Sequence, residues 1–216
     1  MIQAVIFDMN GVIIVDEKFH TQSWIEFCKK YNFSITDEEL RNYFIGKRDK
    51  ETLEYIFKKK LSDEESNKYS DQRDLMVRAL VKNKLTLPQG LIELLNNIRN
   101  KNIPLAIATS SRRGYVDFIM ETFNLRKYFP IIITAEDVSN GKPDPEIYLK
   151  TADKLKIIPQ NCLVFEDSLS GIKSAKDAGM KVIAITTTYS SSELKDKADK
   201  VIENFNQVSE TLINNL

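Results

Sequence analysis

The chain has 216 residues, and its 31 lysines and arginines balance 31 aspartates and glutamates, so its formal net charge is zero. That length allows one large domain or two unequal domains with a buried core. The balanced charge disfavours a function in binding nucleic acid or an acidic membrane surface.

The first predicted element is a short buried strand over residues 4–7, with the sequence AVIF. Four apolar residues are too few for a helix and are typical of a strand that is covered on both faces. Gly11 then allows a sharp turn, so Asp8 emerges at the carboxyl end of the strand, where open α/β sheets bind ligands. Asn10 places an amide two positions after this acid.

The next segment is helical and contains no predicted strand. Helical stretches are predicted around Trp24, around Leu53 and centred on residues 75–81. An all-helical insert cannot join the sheet, so we predict that it forms a separate helical bundle. Two linkers would connect this bundle to the rest of the chain, which is the arrangement of a lid. The predicted domains are a catalytic core of residues 1–15 and 86–216 and a cap of residues 16–85.

From Leu87 onward, short apolar runs alternate with amphipathic helices. The predicted strands cover residues 105–108, 131–134, 163–165 and 182–185. This alternation implies right-handed crossovers and a parallel sheet with helices on both faces. The predicted fold class is therefore α/β, a Rossmann-like three-layer α/β/α core with an inserted α-helical cap domain.

Residues suited to binding a phosphate or a metal ion follow three of these strands. The strand at 105–108 is followed by the hydroxyls and cation of Thr109, Ser110, Ser111 and Arg112, which can hold phosphate oxygens. Lys142 precedes a proline that stiffens the backbone behind it. Glu166 and Asp167 are adjacent carboxylates of the kind that binds Mg²⁺.

The segments FDMNG, ATSS, GKPDP and FEDSLSGI resemble, in order and spacing, the four motifs of the haloacid dehalogenase superfamily. The chain is most similar to the β-phosphoglucomutase-like branch, with a helical cap after the first motif, and the resemblance covers nearly the whole sequence. It implies that Asp8 is a nucleophile that becomes an aspartyl-phosphate, that Thr109 holds the phosphoryl group and that Lys142 balances charge. The implied Mg²⁺ ligands are Asp8, the backbone carbonyl of Asn10, Glu166 and Asp167.

Each of these residues also has an ordinary structural interpretation. Thr109 is typical of a turn, Lys142 of a protein surface, and Glu166-Asp167 of a helix cap. Their joint occurrence at one sheet edge favours the catalytic interpretation. Of the two neighbouring arginines, Arg112 is the one that we expect to face phosphate. His20 lies in the first cap helix, where a packing or capping role competes with a catalytic relay.

Asn10 departs from the pattern of the resembled family, which normally has an aspartic acid there as general acid and base. An amide can donate a hydrogen bond but cannot exchange a proton. Three explanations stay open: another acid is recruited, with Asp16 and Glu17 nearest in sequence; the substitution is engineered and traps a phosphoenzyme; or the protein is a sensor. For Asp16, an N-cap position is the preferred interpretation.

The cap loop also departs from the mutases of that branch, which usually offer an arginine after the equivalent of Gly46. Here Gly46 and Arg48 are candidate substrate-binding residues, but Asp49 is expected to repel a second phosphate. This weakens a mutase function without removing it.

The sequence therefore predicts a Mg²⁺-dependent phosphomonoester hydrolase for a small phosphorylated metabolite, a sugar phosphate in the first instance. The alternatives are a sugar phosphomutase similar to β-phosphoglucomutase and a low-activity phosphometabolite-binding protein. No partner nucleic acid or membrane is predicted, and a monomer is expected. The two cysteines lack CxxC partners, and the N-terminus has no secretory pattern, so a cytoplasmic location is expected.

Overall fold

The computed structural model of the chain describes residues 1–44 and 47–214. Gly46, one of the predicted substrate-binding residues, lies outside these described residues. The backbone divides into two compact units, Met1–Val15 with Thr86–Leu216 and Asp16–Leu85. They are called the sheet unit and the helical unit below.

The helical unit has no strand within its described residues and is built from helices. These are α1 (Glu17–Lys30), α2 (Asp37–Tyr43), α3 (Asp49–Phe57) and α4 (Asp63–Val81). Trp24 and Phe27 of α1 pack in one apolar cluster with Leu53 and Ile56 of α3. Asp16 stands at the N-cap position of α1, but its side chain makes no capping hydrogen bond to the helix, and its Oδ2 lies 3.1 Å from His20 Nε2.

Within the described residues, the sheet unit has one sheet of six strands. These are β1 (Ala4–Phe7), β2 (Leu105–Ala108), β3 (Ile131–Ile133), β4 (Cys162–Glu166), β5 (Lys181–Ile185) and β6 (Lys200–Ile202). Their spatial order is β3-β2-β1-β4-β5-β6, and every neighbouring pair is parallel. The sheet has the Rossmann-like α/β architecture that the sequence predicts.

Helices flank this sheet. They are α5 (Leu91–Asn100), α6 (Arg113–Thr122), α7 (Glu146–Leu155), α8 (Leu169–Asp177), α9 (Ser191–Leu194) and α10 (Glu210–Asn214). Apolar residues of α7 and α8 pack against Ile6 and Val164 on one face of the sheet. Phe7 and Phe165 point to the opposite face, because successive strand residues alternate, and their rings stack with centroids 4.9 Å apart. None of the helices in the described part of the chain is long and apolar enough to cross a bilayer.

The strand order brings the polar strand ends together. β1 lies between β2 and β4, and all three strands run in the same direction. The chain therefore leaves them at the same edge of the sheet, at Asp8, Thr109 and Asp167.

Three predicted strands have other bounds in the structure, and one further strand is not predicted. β4 is one residue longer at each end (Cys162–Glu166), and β5 begins one residue earlier, at Lys181. β3 ends at Ile133, not Thr134, because the Thr134 backbone N–H donates to Asp137 Oδ2 at 2.8 Å and starts a 3-10 turn. The sequence does not predict β6. That strand has three residues and begins at the exposed Lys200, so it gives neither an apolar run nor an alternating pattern.

Candidate active site

Asp8 starts the loop after β1 and is held against the neighbouring strand. Its backbone N–H donates to the Phe165 carbonyl at 2.9 Å. Gly11 follows with φ +77°, and a β-carbon on this residue would overlap the Asp167 carboxylate. Glycine is therefore required at this turn both for its backbone angle and for the close approach of Asp167.

The Lys142 ammonium bridges two acids at the carboxyl ends of different strands. Its Nζ lies 2.6 Å from Asp8 Oδ1 and 2.7 Å from Glu166 Oε1. It also donates to the Ala108 carbonyl at 3.2 Å. Lys142 is only 3 % exposed, so these charges interact where water screens them weakly. The burial excludes the interpretation of Lys142 as a surface lysine.

Glu166, the last residue of β4, is fixed from several sides. Its Oε2 accepts hydrogen bonds from the backbone N–H groups of Asp167 and Ser168, both at 2.9 Å. Its Oε1 accepts one from the Tyr148 hydroxyl at 3.0 Å, beside the bond from Lys142. Because both oxygens have donors, Glu166 forms a rigid anchor for the Lys142 ammonium.

The burial of these groups changes their protonation. Burial raises the pKa of Asp8 to about 7; Lys142 opposes this rise and the nearby Glu166 carboxylate adds to it. Burial by itself would lower the pKa of Lys142, but the Asp8 and Glu166 carboxylates outweigh it and hold that pKa well above the usual value. Lys142 therefore stays charged, whereas Asp8 needs further positive charge to be fully ionised at neutral pH.

The donor set fits a hard divalent cation. Asp8, Glu166 and Asp167 form a group of three buried acids, identified among the described residues, whose ligand oxygens lie within 4.8 Å of one another. Opposite oxygen ligands of Mg²⁺ are about 4.2 Å apart, so a small adjustment would suffice. Lys142 contacts two of these carboxylates, Asp8 and Glu166, and a divalent ion would add positive charge to the group of three acids.

Asn10 turns its side chain toward the loop after β2. Its Oδ1 accepts a hydrogen bond from Ser111 Oγ at 2.6 Å and a longer one from Thr109 Oγ1 at 3.5 Å. Thr109 in turn accepts one from the Ser111 backbone N–H at 3.1 Å. The structure thus links Asn10 with two of the predicted phosphate-binding hydroxyls.

The remaining residues of this loop lie toward α6. Ser110, half-buried, separates Thr109 from Ser111. Arg112 is the N-cap residue of α6, and its Nε lies 3.6 Å from Glu136 Oε1. This ion pair competes with any phosphate for Arg112, so the role of Arg112 stays a prediction.

The predicted cap residues lie in the helical unit. His20 Nε2 lies 3.1 Å from Asp16 Oδ2, and His20 Nδ1 lies 3.1 Å from Arg73 Nη1. Arg48 is the N-cap residue of α3, and its Nε donates to Glu51 Oε1 at 2.8 Å. These contacts give His20 and Arg48 structural roles within the helical unit, and their contact with substrate stays a prediction.

Asp49 does not present the free negative charge that the sequence suggests. Arg73 donates to its two carboxylate oxygens, from Nη2 at 2.8 Å and from Nε at 3.2 Å. The same guanidinium lies 4.5 Å from the centre of the Trp24 ring. Because Arg73 neutralises Asp49, repulsion of a second phosphate by Asp49 is a weaker argument against a mutase than the sequence indicates.

Sequence reasoning missed three side chains that support the site. Tyr148 has the helical spacing of a core residue, but a buried phenol normally needs a hydrogen-bond partner, and here it bonds Glu166. Thr188 donates its hydroxyl to Asp167 Oδ2, and the adjacent Thr187 donates to the Gly11 carbonyl at 2.5 Å. A signal was present for both threonines, because they follow β5 at the sheet edge that carries Asp8.

Comparison with known proteins gives consistent matches. A family model described as haloacid dehalogenase-like hydrolase matches residues 5–185. The phosphorylated carbohydrates phosphatase of Thermotoga maritima is 32% identical over 193 residues, which cover 84% of this chain and 83% of that protein. The crystal structure of a HAD hydrolase, family IA, variant 3, from Entamoeba histolytica is 34% identical, with a TM-score of 0.87 over 97% of this chain and 96% of that one. That of β-phosphoglucomutase from Clostridium difficile is 27% identical, with a TM-score of 0.86 over 100% and 96%.

Proposed function

The chain belongs to the haloacid dehalogenase-like hydrolase family, and on this premise we propose that it is a Mg²⁺-dependent phosphomonoester hydrolase. Its substrate is a small phosphorylated metabolite, a sugar phosphate in the first instance, and its intermediate is an aspartyl-phosphate on Asp8. Relatives named as phosphatases support an enzyme over a non-catalytic binding protein.

The observation that carries this proposal is the Lys142 bridge between Asp8 and Glu166, with Asp167 beside it. A carboxylate that attacks a phosphate must approach another anion. At 4 Å, two unit charges repel by about 4 kcal/mol at an effective dielectric of 20. Lys142 offsets part of this repulsion at the nucleophile itself, and Glu166 keeps the ammonium in place.

Each residue of the site has a separate role in the proposed reaction. Asp8 attacks phosphorus, while Thr109, Ser110 and Ser111 bind the phosphoryl oxygens with their hydroxyls or backbone N–H groups. Mg²⁺, held by Asp8, Asp167 and the Asn10 carbonyl with Glu166 nearby, would supply positive charge to the transferring phosphoryl group. Water must then attack phosphorus on Asp8 to release phosphate.

A phosphomutase is the second candidate, because of the likeness to β-phosphoglucomutase and the neutralised Asp49. It predicts conversion of a hexose 1-phosphate to its 6-phosphate in the presence of a bisphosphate activator. If an Asn10→Asp variant also fails to make this conversion, the mutase is excluded. Asn10 favours the hydrolase, since a mutase needs proton transfer on a sugar hydroxyl in both half-reactions.

The proposal is tested by phosphate release from an aryl phosphate and from a panel of sugar phosphates and nucleotides. We expect release with Mg²⁺, loss of release in excess EDTA, and recovery when Mg²⁺ is restored. Equal release in EDTA would contradict the metal requirement.

Changing Asn10→Asp is expected to raise turnover of a sugar phosphate at least about tenfold, because a general acid and base returns beside the nucleophile. Steady-state phosphate release checks this. An unchanged or lower rate would mean that another group already transfers the proton.

Changing Thr188→Val is expected to weaken Mg²⁺ binding by about 10–100-fold, the usual cost of removing a partner that orients a metal ligand. The reason is that the Thr188 hydroxyl bonds the Asp167 carboxylate. Calorimetric titration with Mg²⁺ measures the effect without any turnover. Thr188→Ser keeps the hydroxyl and is the matched control; equal affinities in all three proteins would contradict the role of Thr188.

A further inference from the structure

The chain contains two Asn-Gly pairs, Asn10-Gly11 and Asn140-Gly141. Such a pair is chemically labile, because glycine has no side chain that shields its backbone nitrogen from the neighbouring asparagine amide. That nitrogen can attack the asparagine Cγ and expel ammonia. The reaction requires an asparagine side chain that is free to turn and a glycine N–H that is open to water. The structure gives the two pairs opposite surroundings.

The first pair is held on both sides. The Gly11 N–H donates to the Ile14 carbonyl at 2.7 Å, and Gly11 is buried. The Asn10 Oδ1 accepts the 2.6 Å hydrogen bond from Ser111 Oγ. Reaction at this pair therefore requires a local opening of the loop after β1, and packed segments open only rarely.

The second pair lies in an irregular segment between β3 and α7. Asn140 is exposed, and residues 139–141 belong to neither a helix nor a strand. Among the described residues, none accepts a hydrogen bond from the Gly141 N–H. The Asn140 Nδ2 donates to Glu146 Oε2 at 3.3 Å, which is longer than most N–H···O hydrogen bonds and restrains the side chain weakly. Both requirements of the reaction are therefore met at this pair.

We propose that Asn140-Gly141 is a site of spontaneous deamidation, and that the modification disables the active site by displacing Lys142. The loss of activity rests on the proposed hydrolase function, whereas the modification itself does not. In the reaction, the Gly141 nitrogen gives its proton to water and bonds to Asn140 Cγ, the bond from Cγ to Nδ2 breaks, and ammonia leaves. Water then opens the succinimide ring to aspartate or to isoaspartate, whose main chain is longer by one carbon atom.

Glu146, the first residue of α7, holds this segment in place with both carboxylate oxygens. Its Oε1 accepts from the Ser139 backbone N–H at 2.9 Å, and its Oε2 accepts from the Asn140 backbone N–H at 2.8 Å. The hydrogen bond from Lys150, followed by those from these two N–H groups, lowers the pKa of Glu146 to about 2, so Glu146 is negatively charged at neutral pH. Deamidation would replace an amide that donates to Glu146 with a second anion, which Glu146 repels.

The consequence reaches Lys142, which lies two residues after Asn140. Its ammonium must reach Asp8 at 2.6 Å and Glu166 at 2.7 Å. An extra main-chain atom, or repulsion from Glu146, moves the backbone from which the lysine side chain starts. Because a misplacement of about 1 Å in a catalytic site can cost about 10²-fold in rate, modified molecules should contribute little turnover.

The test follows the full chain during incubation in mildly alkaline buffer. Peptide mass spectrometry measures deamidation at each Asn-Gly pair, and the same samples are assayed with Mg²⁺ for phosphate release from 4-nitrophenyl phosphate. We expect Asn140 to be converted at least about tenfold faster than Asn10, since Asn10 reacts only in open conformations. Activity should fall in proportion to the modified fraction, and a protein isoaspartate methyltransferase should label the peptide that contains position 140.

Gly141→Ala is the matched control. Within the described residues, the glycines at positive φ are Gly11, Gly90 and Gly179, so alanine fits the backbone at position 141. This variant keeps Asn140 and shields the attacking nitrogen with a methyl group. Its mass and its activity should therefore stay constant over the time in which the unchanged chain loses half of its activity.

Equal conversion of the two pairs, or no conversion of Asn140, would overturn the modification site. Complete conversion with undiminished turnover would overturn the effect on Lys142. A fresh protein that releases no phosphate would overturn the hydrolase function instead, and the mass measurement would still decide the modification site. In that case urea denaturation tests the displacement of Lys142, because a broken buried ion pair lowers the free energy of unfolding of the modified chain.

Discussion

Replacing Asp8 with asparagine is expected to lower phosphate release by at least about 10³-fold, because the covalent route through Asp8 is lost. The Asn side chain has nearly the same size, but its amide cannot form the acyl-phosphate bond. Phosphate release from 4-nitrophenyl phosphate with saturating Mg²⁺ measures the effect. The exposed Asp153 of α7 offers the matched control, and Asp153→Asn should keep full activity.

The loss in Asp8→Asn should not come from unfolding. The pKa of Asp8 is raised from its ordinary 3.8 to about 7 in the folded protein. Between these two pH values, the folded protein therefore binds more protons at Asp8 than the unfolded chain does. Stability from this group is therefore full below pH 3.8 and is lost as the pH rises through about 7. In metal-free buffer, the free energy of unfolding of Asp8→Asn should therefore fall less than that of the unchanged chain as the pH rises through about 7. Denaturation at several pH values measures this difference. Phosphate release equal to that of the parent would exclude Asp8 as the nucleophile.

Replacing Lys142 with methionine is expected to abolish measurable turnover and to destabilise the protein. Without the ammonium, Asp8 and Glu166 face each other in a buried site, and breaking a buried ion pair usually costs about 3–5 kcal/mol. Urea denaturation at pH 7 measures the free energy of unfolding. Lys154→Met, at an exposed position of α7, is the control and should change it little.

A double variant separates charge from packing at Lys142. If the lost stability comes from the uncompensated acids, adding Glu166→Gln to Lys142→Met should recover part of it, because one buried charge disappears. If the double variant is less stable than Lys142→Met alone, shape and hydrogen bonding at Glu166 matter more than its charge. Neither variant should recover activity.

The sequence predicts the sheet well because its strands are short apolar runs that only a doubly covered sheet can bury. It does not predict α2, which has no fully buried residue and so shows no helical pattern of apolar positions. A local signal existed nevertheless. Thr36 and Glu39 form a capping box at the start of α2, a pattern that can be found in a sequence without any apolar spacing.

The site itself is only partly predictable. The polar residues could be placed at one edge, because parallel strands end together and β1 lies between β2 and β4. The individual contacts within the site could not be predicted. From its residue type, Glu166 is equally suited to bind a metal or to anchor Lys142. Its hydrogen bonds from Tyr148 and from two backbone N–H groups depend on side-chain orientation. The orientation of Asn10 toward Ser111 also needed coordinates.

The central position of β1 has a consequence for the newly made chain. Of the strands in this sheet, β1 is synthesised before the others, yet both strands that pair with it follow about a hundred residues or more later, at Leu105 and Cys162. Until those strands are synthesised, the apolar side chains of β1 cannot be buried in the sheet. Exposed apolar surface of this kind leads nascent chains to aggregate or to bind chaperones. Lys142 leaves the ribosome 134 positions after Asp8, so no shortened translation product that stops before it can assemble the catalytic centre.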